Sequence, residues 1–338
     1  MSAVMRTEQW VQALDAELHA RRAALPGRKP HLRRTRGRIA VVTDAACALP
    51  VDAATGRLRL GLLGEQVEVV PIPVMIDQGP QGGQRSEMYP EYSAELTRDL
   101  PLALAQGLPV RTSRPSPGRI AETYRGLHAE GFDGVVSVHL SAKLSGTYDA
   151  ARLAAEQAPL PVTVLDSQQA GLALGQAVIQ AALAARLGGN LQGVAQAAEA
   201  AAAASNSVFA VPSLEQLRRG GRINRLASLF GTMMRVKPVL QLCEGEIQLL
   251  ERAHSMPRAS ARMQALTAER ASSSEKAVIG VHCCGNPEAA AELAQALQPH
   301  STQPVPVVEL PPGLAAHLGL GALGISVTEL PGPRNTSS

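Results

Sequence analysis

The segment HLGLGALG, residues 317 to 324, places a histidine two positions ahead of a G-x-G-x-x-G spacing. That spacing is a dinucleotide fingerprint, whose glycines let the backbone approach a pyrophosphate. It has this meaning only between a strand and a helix, with an acidic residue roughly 20 positions on for the ribose. After Gly324 comes only ISVTELPGPRNTSS, which has no room for a crossover helix, a second strand and a carboxylate. The expectation is a glycine-rich turn that presents His317 and brings backbone close to a ligand, and not a nucleotide site.

A second group of reactive side chains stands where strand-like runs end. Thr43 and Asp44 close RIAVVTD, Thr112 and Ser113 close LPVRTS, and Ser141 follows VVSVHL. Ser145, Gly146 and Thr147 open the next helical stretch, and Ser167 follows VTVLD. In an open parallel sheet, ligands bind beyond the carboxyl ends of the strands. Hydroxyls and helix N-terminal amides with few fixed charges suit an oxyanion such as a carboxylate or phosphate. A single Ser or Thr at such a place is an ordinary helix cap; the agreement of several strand ends marks these.

Ser141, His317 and Asp44 would supply the residue types of a hydrolytic triad, yet G-x-S-x-G is absent and nothing in the spacing joins them. His139 and His282 fall inside apolar strands and read as core residues. No H-E-x-x-H, Walker A or EF-hand pattern occurs, so neither a metal nor a nucleotide cofactor is expected.

The elements that must position these groups follow from patterning. Trp10, Leu14 and Leu18 share one helical face in an N-terminal appendage, residues 1–36, that ends in the basic stretch GRKPHLRRTRGR. That Arg cluster leaves room for transient contact with a membrane surface. From Arg38 onward short β-rich runs alternate with helices. RIAVVT, EVVPIPVMI, VVSVHL and VTVLD read as strands, and Ser116 caps a helix with Pro117 at its first position and Gly131 beyond its end. This rhythm predicts parallel pairing with right-handed crossovers. After Ser167 come alanine-rich helices, then SVFAVPS, a hairpin-like CEGEIQLLERA, the strand AVIGVHCC and the helix PEAAAELAQAL. The expected fold is therefore α/β with two domains. Residues 37–168 form a parallel-sheet, three-layer domain, 169–332 a mixed sheet with helices, and 333–338 a disordered tail.

Bulk properties narrow the function classes. Lys and Arg number 32 against 29 Asp and Glu, a net charge of +3, which gives no argument for nucleic acid. Aromatics are only 2%, so the core of this 338-residue chain must be aliphatic. The four cysteines have no C-x-x-C spacing, and Cys283 and Cys284 are adjacent, which argues against a zinc site or a disulfide framework. No signal core and no long apolar run is present, which suggests a reduced, cytoplasmic location without an integral membrane segment.

Six ordered stretches resemble the signature blocks of the DegV family: VVTDAACALP, VRTSRPSPGRIAETY, GVVSVHLSAKLSGTYDAARLAAE, VTVLDSQQAGLALG, the segment beginning LEQLRRGGRI, and AAHLGLGALGI. The resemblance spans roughly Arg38 to Ile325. It implies two α/β domains with a tunnel between them that holds a long-chain fatty acid. It further implies a protein without catalysis of its own, the acyl-carrying subunit that presents a carboxylate to a separate fatty acid kinase for acyl phosphate formation. The family's T-S-Q-P-S is matched by Thr112 to Ser116, its S-S-x-L-S-G-T by Ser141 to Thr147, and its glycine-flanked histidine by His317. The implied carboxylate contacts are Thr112 or Ser113, Ser141 and His317, supported by Asp44, Ser145, Gly146 and Thr147. Arg222 matches an arginine tied to partner engagement or phosphoryl transfer. Arg114, Ala142 and Leu320 depart from the family pattern. The alternative reading is a hydrolase or phosphoryl-transfer enzyme that uses Ser141 and His317.

An aliphatic cavity with a polar end agrees with this on physical grounds. Each buried methylene contributes about 0.8 kcal/mol, so a chain of about 16 carbons gives on the order of 10 kcal/mol before association costs.

Overall fold

The computed structural model describes residues 2–25, 38–52, 58–77, 86–223 and 236–330. Most of the basic stretch, most of the segment after Arg222 and the tail 333–338 lie outside them.

The N-terminal helix α1 (Ala3–Ala23) is capped by Ser2. Its apolar face, Trp10, Leu14 and Leu18, is fully buried. The helix lies across the 3-10 turn Gly61–Gln66 and the far edge of a second sheet, so it braces two layers. Thr7 donates to the Val307 carbonyl, and Asp15 accepts from the Leu62 amide.

Then follow β1 (Ile39–Asp44), β2 (Val67–Val70), β3 (Val74–Asp77), β4 (Ser86–Tyr89), α2 (Ala94–Ala105) and β5 (Val110–Thr112). Helix α3 (Pro117–Ala129) is capped as its sequence predicts: Ser116 accepts from the Arg119 amide, and Gly131 sits at φ +82°. Strand β6 (Gly134–His139), helix α4 (Thr147–Ala155) and strand β7 (Val162–Asp166) complete the first sheet. Its order is β2-β1-β6-β7, and every pairing in it is parallel. The same stretch of chain also makes a small antiparallel sheet, β4-β3-β5.

Helices α5 (Leu172–Arg186) and α6 (Leu191–Ala203) explain the alanine tract. They pack closely on each other and on the face of the first sheet opposite α3 and α4. From Leu172 to Leu183 every residue of α5 is buried, because the helix touches the second sheet as well as the first. The covered sheet is thus a three-layer arrangement.

Strand β8 (Ser205–Ala210), helix α7 (Glu215–Arg219), β9 (Lys237–Cys243), β10 (Glu246–Ala253), α8 (Met256–Ser272), β11 (Ala277–Cys283), α9 (Pro287–Leu297), β12 (Val307–Glu309), α10 (Pro312–Leu318) and β13 (Leu323–Glu329) follow. The mixed sheet runs β10-β9-β8-β13-β11-β12. In the β9–β10 hairpin Glu244 and Gly245 have φ of 50° and 77°, the two left-handed residues of a tight twisted turn. One face of this sheet, with Val208, Val239, Ile279, Val281 and Ile325, packs on α8 and α9. Register places Phe209, Gly324 and His282 on the opposite face, side by side across three strands.

Candidate functional site

That second face floors an apolar cavity of about 120 Å³. Its walls come from the strand ends of the mixed sheet, from α10 and from the loop after β6; Ile72, Leu144, Leu242, Ile247 and Leu314 are typical of them. Among the described residues, the polar side chains on the wall are Thr112, Ser145, Ser207, Arg222, His282 and His317.

His317, in the last turn of α10, meets Thr112 at the end of β5: Nε2 and Oγ1 are 2.8 Å apart. Its Nδ1 is buried without a partner. Burial, and secondarily the Arg222 charge, hold the imidazole down to a pKa of about 4, so it is neutral near pH 7. Arg222 donates from Nε to the Leu144 carbonyl at 3.1 Å and from Nη1 to the Gly220 carbonyl. Among the described residues it is the one permanent charge on the cavity wall, and no acidic side chain there pairs with it. Burial lowers its pKa, since desolvation disfavours the cation.

The glycines after His317 do turn the chain. Gly319 and Gly321 sit at φ +79° and +83°, and the segment leads into β13, a strand where a nucleotide site needs a helix. Of the fingerprint glycines only Gly324 lines the cavity, so the close backbone approach expected of the loop falls to β13.

The other anticipated residues divide. Ser145 is on the cavity wall, its Oγ 2.9 Å from Thr147 Oγ1, with Gly146 between them at the start of α4. Ser113 and Ser141 are not among the lining residues. Ser141 is wholly buried and donates to the Gly245 carbonyl at 2.7 Å, tying the loop after β6 to the β9–β10 turn. Asp44 faces elsewhere: it accepts from His139 Nδ1 at 2.9 Å and from the amides of Leu140 and Ala46. His139 Nε2 is 2.8 Å from Ser137 Oγ, which receives the Tyr124 hydroxyl proton. The Ser-His-Asp geometry in this chain is thus Ser137–His139–Asp44, at zero exposure, without a place on the cavity wall. At the departing positions, Arg114 lies against Gly146, and the Ala142 amide donates to Asp166.

His282 is buried as its apolar strand suggests, yet it is a wall residue as well as a core one. The Leu172 amide donates to its Nε2 at 2.9 Å, so the neutral ring carries its proton on Nδ1, which has no partner. Burial holds its pKa near 4. A signal was available in AVIGVHC: Gly280 and His282 share one face, while Ala277, Ile279, Val281 and Cys283 share the other. Ser207 and Phe209 alternate in the same way on β8, and neither motif nor strand-end reasoning finds them.

One buried acid shapes the wall from behind. Glu91 accepts from the amides of Ile72 and Gly313, both cavity residues. Burial pushes its carboxyl up to about 8, against those two hydrogen bonds and with the help of the Asp44 charge. No group of three or more His, Cys, Asp or Glu suited to a metal occurs among the described residues, and no helix there is long and apolar enough to cross a membrane.

A parallel three-layer sheet, a mixed sheet and a small antiparallel one, with an apolar cavity carrying a cation and two neutral imidazoles on its wall, define a class of α/β proteins with a ligand-binding cavity beside the mixed sheet. The chain belongs to the DegV family: the family profile described as "Uncharacterised protein, DegV family" matches residues 38–330. A DegV domain-containing protein of Streptomyces coelicolor is 40% identical over 292 residues, 86% of this chain and 98% of that protein. Among solved structures, one described as fatty acid binding of a DegV family protein from Thermus thermophilus has a TM-score of 0.72 at 32% identity. It aligns over 87% of this chain and 100% of its own. DegV of Bacillus subtilis, described as a fatty acid binding protein, shares the fold with a TM-score of 0.73 at 24% identity, over 87% of this chain and 100% of its own.

Proposed function

We propose that this protein binds a long-chain fatty acid, with the acyl chain in the apolar cavity and the carboxylate against Thr112, Ser145, His317 and Arg222. The observation that carries the reading is Arg222, a half-buried cation that among the described residues meets neutral carbonyls, on a largely apolar wall. A charge so placed is stabilised by an anion that arrives with its own apolar body. The fatty acid binding ascribed to the Thermus thermophilus relative supports the same ligand class.

In this reading Ser141 acts one step back, holding the loop that carries Ser145 through its bond to Gly245, and Asp44 holds the base of the β1 and β6 strand ends. The two lobes divide after α6 and not at residue 168, because α5 and α6 cover the first sheet, and the cavity serves as the tunnel between the lobes. The bound acid is presented to a separate cytoplasmic kinase, whose ATP γ-phosphoryl group passes to the carboxylate oxygen to give acyl phosphate and ADP. Hydrolysis by Ser141 and His317 has less support: the Ser141 proton goes to a carbonyl, and His317 faces Thr112.

Native mass spectrometry of the purified protein, with organic extraction, tests this. A stoichiometric long-chain acid, or a thermal stabilisation on adding one, is the expected result. A bare protein indifferent to added acids overturns the reading.

A further inference from the structure

The paired glycines at the end of α7 are glycine for different reasons. Gly221 sits at φ +71°, the left-handed conformation that closes a helix. Gly220 has φ −73°, which any residue adopts. What excludes a side chain there is His317: a Cβ on Gly220 would stand 2.3 Å from Nδ1 and 2.9 Å from Cε1 of that ring. On its other edge the same ring meets Thr112 Oγ1 at 2.8 Å. The imidazole is therefore held between a hydroxyl and a missing methyl group. The third neighbour of such a Cβ is the Gln216 carbonyl oxygen at 3.3 Å, so the side chain that can yield is the ring, by turning about its side-chain bonds, and that turn breaks the Thr112 contact.

We infer that Gly220 is a positioning residue: the space left by its absent Cβ is the slot in which the His317 imidazole stands. Its carbonyl also receives Arg222 Nη1, so one residue orders both the imidazole and the guanidinium. The effect on ligand affinity rests on the fatty-acid reading above; the effect on His317 does not.

The test uses Gly220→Ala, His317→Ala and the double variant, each measured for palmitate affinity by displacement of a fluorescent fatty acid and, where His317 is present, for His317 titration by NMR. Gly220→Ala is expected to weaken palmitate by about tenfold, the scale of one hydrogen bond to a charged group, but by no more than about twofold in the His317→Ala background. The His317 ring, which titrates near 4 in the native protein, is expected to move toward its free value of about 6.5 in Gly220→Ala. An unchanged titration, or an equal loss of affinity in both backgrounds, overturns the proposal. If the native protein binds no palmitate, the fatty-acid reading fails while the titration still decides the role of Gly220. Should Gly220→Ala not fold, the double variant, which removes the clashing ring, is expected to fold; a double variant that also fails to fold overturns the slot.

Discussion

Thr112 Oγ1 and His317 Nε2 lie 2.8 Å apart across 205 residues of sequence, which joins the end of the small antiparallel sheet to the helix before β13. Removing the hydroxyl at constant shape, Thr112→Val, unpins the ring without opening a cavity. It is expected to weaken fatty acid affinity several-fold, about what one hydrogen bond of 0.5–1.5 kcal/mol contributes. His317→Ala is expected to cost more, because in the proposed site a direct ligand contact goes as well. Fluorescent fatty acid displacement on both variants checks the order; an unaffected His317→Ala protein removes the imidazole from the head-group site.

Hydroxyls at strand ends were legible because strand, helix and cap signals agree locally, and β1, β5, β6, β7 and α3 all fall where pattern places them. Which hydroxyls face the cavity was not, because that depends on contacts far along the chain. Ser141 turns to the carbonyl of Gly245, 104 residues away, and Asp44 to His139, 95 residues away. His282 shows the converse: an apolar strand predicts burial, but only the pairing of β11 with β13 shows that it stands beside Gly324 on the cavity wall.

His282 gives the fold a pH dependence whose sign is fixed. Its folded pKa of about 4 lies below the 6.5 of the free side chain, so between those values the unfolded chain binds more protons. Stability is then full above pH 6.5 and falls as pH drops toward 4, by up to about 3 kcal/mol for this group. His282→Gln, whose amide oxygen can still accept from Leu172, isolates this group: in urea unfolding at pH 7 and pH 5 the native protein is expected to lose stability relative to the variant, because His317 and the oppositely acting Glu91 contribute alike to both.

Glu91 acts in the other direction. Its folded pKa of about 8 lies above the free value of 4.5, so its contribution is full below pH 4.5 and lost as pH rises through 8. The native protein is expected to lose on the order of a few kcal/mol between pH 5 and pH 9 from this carboxyl. Glu91→Gln keeps an acceptor for the Ile72 or Gly313 amide and cannot ionise. Its denaturation midpoint at pH 9 is expected to exceed the native one; a lower midpoint at both pH values would show that the carboxylate holds the wall better charged than neutral.

Helix α1 lies before the residues matched by the family profile, yet it is part of the core. Trp10 is wholly buried, and its truncation to Ala leaves a large cavity between two layers, so a loss of about 3–5 kcal/mol is expected in urea unfolding. A loss under about 1 kcal/mol, the range of ordinary surface substitutions, would mean that the helix rests on the protein without bracing it.

Gly324 offers a way to ask where the acyl chain runs. It lies in β13 on the cavity wall, and an added Cβ would meet Phe209 and His282 at 3.5 and 3.6 Å, ordinary contact distances. Gly324→Ala is therefore expected to fold and to bind palmitate nearly as the native protein does. Gly324→Leu places four carbons on the same wall and displaces about as many methylenes of ligand, some 3 kcal/mol or about a hundredfold in affinity. Displacement assays over acids of decreasing length decide the matter. Recovery of binding with shorter acids fixes β13 as the wall along which the chain lies, whereas unchanged palmitate binding in Gly324→Leu places the acyl chain outside this cavity.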